Sequence, residues 1–202
     1  MSYSQKSFKK AKKNIFSKFG RFFLIAILCA VFLNFGKANT VLAATCTASA
    51  TGNWNTIGTW SCGHVPLSTD DVVVTAAAAT TITVDTAAVA NTVTVTNTAV
   101  AGTQNIILAV GSNSLTISAG GGLTINGGGA ANRNAQVTVS SGTITVPGSV
   151  AFNNARAQFI STGASTTNVG GNFGSGGTLT TSGTGTFNFN GSLPQTIGIM
   201  YQ

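Results

Sequence analysis

The window Gly52–Val74, GNWNTIGTWSCGHVPLSTDDVVV, holds both tryptophans (Trp54, Trp60), the single histidine (His64), Cys62, and two of the three acidic residues, Asp70 and Asp71. Histidine beside carboxylates is the material of general acid–base catalysis, and thiols beside histidine can be metal ligands. Neither set is complete in this chain. A soft-metal site needs more ligands than two thiols and one histidine, spaced more tightly. Glycoside cleavage needs carboxylates on both sides of the scissile bond. The acids are Asp70, Asp71 and Asp85. The first two are adjacent, so in a strand they point to opposite faces. Asp85 falls about half a repeat later, and no carboxylate or nucleophile stands at a recognisable motif spacing from His64. The glycine clusters at Ala119–Gly122 and Asn126–Gly129 are not phosphate loops, because neither lysine nor helix follows them. The expectation is turn and cap polarity, with no catalytic residue, no cofactor-binding residue and no metal ligand. The chain is not expected to be an enzyme.

The elements around this window explain its place. The net charge of +7 looks like a nucleic-acid signal until the charges are located. Lys6, Lys9, Lys10, Lys12, Lys13, Lys18, Arg21 and Lys37 all precede the window, and only Arg133 and Arg156 follow it. The remainder is nearly neutral, which excludes a nucleic-acid partner. The basic stretch leads into the apolar run Phe22–Leu33, too short for a membrane span of roughly 20 residues. Basic, apolar and small-residue segments in that order are those of a secretory signal peptide. We therefore expect a leader over residues 1–43, cut after Ala43, with an uncleaved anchor as the alternative. The mature chain would be secreted or held at the cell surface, with no membrane contact after cleavage. Cys29 would leave with the leader. Cys46 and Cys62 would then be the only thiols in an oxidising compartment, which predicts a disulfide between them.

From Asp71 onward the chain is built of Thr, Val, Ala, Gly, Ser and Asn. Segments such as TITVD, NTVTVTN, SLTIS, GLTIN, QVTVS, GTITV and GTFNF alternate apolar and polar residues, the pattern of half-buried strands. Gly, Asn and Ser between them supply turns. Val73, Val93, Leu115, Val137, Phe159 and Leu179 recur at steps of 20 to 22 residues. This period predicts an all-β fold, a right-handed parallel β-helix of about six coils. Val73, Val93, Leu115, Val137 and Phe159 would form one inward column. A β-sandwich of antiparallel hairpins is the alternative, and it does not explain the period.

A solenoid end exposes its core and its strand edges, so each end needs a cap. Residues 44–70 are expected to form the N-terminal cap. Trp54 and Trp60 would cover the column, Cys46–Cys62 would pin the entering strand, and Pro66 would separate cap from coil. Residues 71–202 would hold the repeats, truncated at the C-terminal side as the first part of a longer protein.

Trp54, Trp60, Gly63, Val65, Pro66, Asp71 and Val72–Val74 together resemble the N-terminal pattern of the G8 domain and the opening segments of bacterial secreted β-helix proteins. The similarity covers roughly Gly52 to Val95. It implies an extracellular β-rich module with a carbohydrate or adhesion role, and it supplies no catalytic residues. The function expected is a structural or adhesive β-helix module whose partners are glycans or host or cell-surface molecules. The alternative is the non-catalytic N-terminal part of a carbohydrate-active β-helix enzyme.

Overall fold

The computed structural model describes residues 42–198. The leader expected over residues 1–43 lies almost wholly outside them. The described chain is a parallel β-solenoid of about five turns with three flat faces. Every strand pairing among the described residues is parallel, which rules out the antiparallel sandwich.

The chain enters through β1 (Thr45–Ala48) and the short β2 (Gly52–Asn53). The first turn is β3 (Asp71–Ala76), β4 (Thr80–Thr83) and β5 (Ala88–Ala90). The second is β6 (Thr92–Asn97), β7 (Ile106–Gly111) and β8 (Ser114–Ile117). The third is β9 (Leu123–Asn126), β10 (Ala135–Val139) and β11 (Thr143–Val146). The fourth is β12 (Val150–Phe152), β13 (Ala157–Ser161) and β14 (Thr166–Val169). The fifth opens at Phe173, bridged to Val150 on one side and Ile197 on the other, and continues in β15 (Thr178–Thr181) and β16 (Thr186–Phe189). Strands one turn apart stack as β1-β3-β6-β9-β12, β2-β4-β7-β10-β13-β15 and β5-β8-β11-β14-β16. Because β1 and β2 already join two of these sheets, the cap over residues 44–70 is itself a partial turn.

Alternation decides which side chains enter the core. In β3 and β6 every second residue is buried, so Val72, Val74, Val93 and Val95 point inward while Thr92, Thr94 and Thr96 point out. The single inward column expected from the 22-residue step is not formed. Val73 faces outward, paired with Thr47 and Thr94. Val93 lies on the first face, Val137 and Phe159 on the second, and Leu115 on the third. The real inward columns are Cys46–Val72–Val93–Leu123–Val150, Ile82–Leu108–Val137–Phe159–Leu179 and Ala88–Leu115–Ile144–Thr167–Phe187. The 22-residue step is real at Val137–Phe159, and the Ala135–Gln136 and Ala157–Gln158 pairs sit in register there. Elsewhere the corners differ in length: Val93 stacks on Leu123, thirty residues on, and Phe159 on Leu179, twenty on. Stacking fixes the position within a strand, and a corner absorbs extra residues by looping out.

Within the clusters Ala119–Gly122 and Asn126–Gly129 only Gly120 has a positive φ, 83°. Gly127 and Gly128 serve a different need. A side chain at Gly127 would collide with Arg156 of the next coil, and one at Gly128 with Arg133 of the same corner. Toward the last turns the core becomes aromatic. Phe152, Phe159, Phe173, Phe187 and Phe189 meet edge to face, with ring centroids 5.2–6.1 Å apart, which orients their quadrupoles favourably. Leu179, Phe187 and Phe189 of the fifth turn are only half-buried against this core.

Candidate functional site

The cap brings most of its reactive groups together. Trp54 and Trp60 are both buried and meet edge to face at 5.0 Å. The Trp60 indole N–H donates to the Trp54 carbonyl at 2.8 Å. Their burial makes them a lid over the columns, and removes them as a platform on which a sugar ring could stack. Pro66 is buried as well. Cys46 and Cys62 form a disulfide across 4.8 Å between Cα atoms. It closes a 16-residue loop, worth about 3 kcal/mol in the chain-entropy account. The ligand atoms of Cys46, Cys62 and His64 lie within 4.8 Å of one another. The two sulfurs are bonded to each other, so the thiolates that a soft metal would require are consumed.

The centre of the cap is Asp70, which the sequence suggested only as turn polarity. Its side chain has no exposed surface. Oδ2 accepts the Leu67 N–H at 2.8 Å and faces His64 Nε2 at 2.9 Å, while Oδ1 accepts the Ala44 N–H at 2.9 Å. His64 is partly exposed, and its Nδ1 faces the Cys62 carbonyl at 3.1 Å. Both ring nitrogens therefore face acceptors, and the ring is held as a strut between disulfide loop and carboxylate. Burial by itself pushes the Asp70 carboxyl up, but the Leu67 and Ala44 amides and the His64 ring outweigh it and hold it below the ordinary 3.8. The sign for stability follows. A carboxyl with a depressed folded pKa stabilises the fold above its unfolded pKa, and that contribution is lost as pH falls through the folded value. The cap is therefore expected to loosen on acidification below about pH 4, ahead of the solenoid. Tryptophan emission, which reports only the cap, should shift to the red before the β-sheet circular dichroism changes. Coincident transitions would show that Asp70 does not govern the cap separately.

The other two carboxylates are also tied to structure. Asp71, turned to the opposite side as adjacency in a strand requires, accepts from Asn91 Nδ2 at 3.0 Å and Thr92 Oγ1 at 2.6 Å. Asp85 Oδ1 accepts the Asn55 N–H at 3.0 Å. The sequence thus located the cap cluster but missed Ala44 as a partner of Asp70, 26 residues away. The one local sign was the Leu67–Asp70 turn, in which the Asp70 N–H also donates to the Leu67 carbonyl at 3.0 Å.

A second feature was not anticipated as a site. On the third face, outward residues stack in register as Ser114–Thr143–Thr166–Thr186 and Thr116–Thr145–Asn168–Asn188. Steps along a column are about 4.8 Å, and the columns lie about 6.6 Å apart, two residues along a strand. Amides link the second column: Asn188 Nδ2 donates to Asn168 Oδ1 at 2.9 Å, and Asn168 Nδ2 to Thr145 Oγ1 at 3.3 Å. A groove of about 320 Å³ borders them, lined by Thr145, Pro147, Asn168, Gly170, Asn190 and Ser192 among others. Such an array offers donors and acceptors at fixed spacing on a rigid support. No protein-family model, curated protein or solved structure matches this chain.

Proposed function

We propose that the chain is a secreted or cell-surface structural module with an adhesive face, and that it performs no catalysis of its own. The observation that carries this reading is the in-register double column of hydroxyls and amides on the third face. The fate of the carboxylates supports it. Each of the three acids accepts a hydrogen bond from the chain's own donors, and Asp70 is fully buried. The order of residues 1–43 supports export, and the resemblance of Gly52–Val95 to G8-type opening segments supports an extracellular setting. The partner class that fits the columns is a glycan, whose hydroxyls donate and accept at short intervals. The fifth turn ends in strands β15 and β16, which carry no charge and no proline, and in half-buried phenylalanines. Edge strands of that composition present unpaired backbone groups and an apolar face on which another coil can stack.

A glycan panel tests the adhesive face. The parent chain should retain at least one oligosaccharide and release no reducing ends. Thr145→Val together with Asn168→Ala should abolish retention without altering the circular dichroism spectrum. Hydrolysis that disappears in His64→Ala would reject the non-catalytic reading. Retention unaffected by the double substitution would move the face elsewhere.

A further inference from the structure

The hydrogen bond from Ala44 to Asp70 has a consequence for maturation. Among the described residues, Ala44 is the first that the cap holds. Its N–H reaches Asp70 Oδ1, and its carbonyl accepts the Asp71 N–H at 2.8 Å. Strand pairing starts at the next residue, Thr45, opposite Asp71. Ala43 and Leu42 are exposed, Leu42 to 86%, and belong to no strand. The Ala43–Ala44 bond therefore joins free chain to fixed chain. Small residues on both sides suit a peptidase of the export route.

We propose that Ala44 becomes the N-terminus of the working protein, and that its new α-ammonium group locks the cap by pairing with the buried Asp70 carboxylate. The proposal rests on the reading that the leader is cleaved. The step is a hydrolysis. Water adds to the Ala43 carbonyl carbon, the C–N bond breaks, Ala43 leaves as a carboxylate, and the Ala44 amine takes up a proton. Before the cut, Asp70 receives one neutral amide N–H from Ala44. After it, the same nitrogen carries a full charge and three donors, and a charge-assisted bond of this kind is roughly twice as strong as a neutral one. The position of the cut matters. Cleavage one residue earlier leaves a neutral amide at Asp70, and cleavage one residue later removes the nitrogen altogether. The other titratable group facing the pair is His64, on the opposite oxygen of Asp70. Asp71 is turned away to Asn91 and Thr92.

The chain makes the test clean, because every lysine lies at or before Lys37. Once the leader is gone, the Ala44 α-amine is the sole amine. The protein recovered from the exported fraction should begin at Ala44 by intact mass. Pulse acylation with an N-hydroxysuccinimide acetate then reports that amine alone. Pairing with a buried carboxylate raises the pKa of an α-amine, which lowers its reactive neutral fraction at pH 7. Labelling at pH 7 should accordingly run several-fold slower than for a short peptide beginning Ala-Thr, and the peptide's rate should return in Asp70→Asn. If Asp70→Asn does not fold, the pH profile of labelling in the parent protein decides, and its midpoint should lie above the peptide's. An exported protein with intact Met1, or one starting elsewhere, would overturn both the proposal and the reading of a cleaved leader. A protein that starts at Ala44 but labels at the peptide's rate and midpoint would overturn the ion pair alone.

Discussion

Leu115→Asp should abolish folding of the solenoid. Leu115 is fully buried on the third face, stacked between Ala88 of the turn before and Ile144 of the turn after. A carboxylate there has no donor to meet, because its inward neighbours are aliphatic. Burying it unpaired costs at least several kcal/mol, against a total stability of about 5–15 kcal/mol for an ordinary domain. The solenoid adds a second reason. Each turn is stabilised mainly by its two neighbours, so a fault at the second turn separates the cap and first turn from the rest. Circular dichroism of the variant should lack the β spectrum of the parent. Leu115→Ala should remain folded but lose about 2–5 kcal/mol in urea titration. A well-folded Leu115→Asp would show that the side chain does not point inward and that the third-face register is wrong.

Gly148→Val should be nearly as damaging, for a steric reason. Gly121, Gly148 and Gly171 stack at one corner of successive turns. The Gly148 N–H donates to the Gly121 carbonyl at 2.8 Å, and the Gly171 N–H donates to the Gly148 carbonyl at 2.7 Å. A Cβ at Gly148 would fall inside van der Waals contact of the Gly121 carbonyl oxygen, and 2.9 Å from its carbonyl carbon. Both are backbone atoms of the stacked coil and cannot rotate away. Relief requires two turns to separate, which also breaks the hydrogen bond between them. Overpacking of a well-packed site costs about 1–3 kcal/mol, and the rigidity of this neighbour places the cost at the upper end or beyond. Gly129→Ala is the matched control. Nothing lies within 4 Å of its added Cβ, and its φ is not positive. It should change stability by no more than about 0.5 kcal/mol. A shared urea midpoint for parent, Gly148→Val and Gly129→Ala would refute the stacked corner.

Local chemistry made much of this legible in the sequence. A period of two in apolar residues is a property of each strand alone, so Val93/Val95, Leu123/Ile125 and Ile144/Val146 could be read as inward pairs without any neighbour, and all are buried. The Cys46–Cys62 bridge and the burial of Trp54 and Trp60 likewise followed from residue type and position before the first full turn. What the sequence could not determine was which strand lies over which. That choice belongs to the stack. Hydrogen bonding between turns fixes register at the strands and leaves corner length free, so a constant count along the chain drifts from one face to the next. Val73 and Leu115 were assigned to one column for this reason, although one faces solvent and the other lies in the core of a different sheet. The role of Asp70 was decided in the same way. Adjacent to Asp71 in a polar turn, it looked like surface. The return of the chain through β1 lays Ala44 against it, and this contact 26 residues apart adds a donor to those of Leu67 and His64, so that a carboxylate stays charged without water.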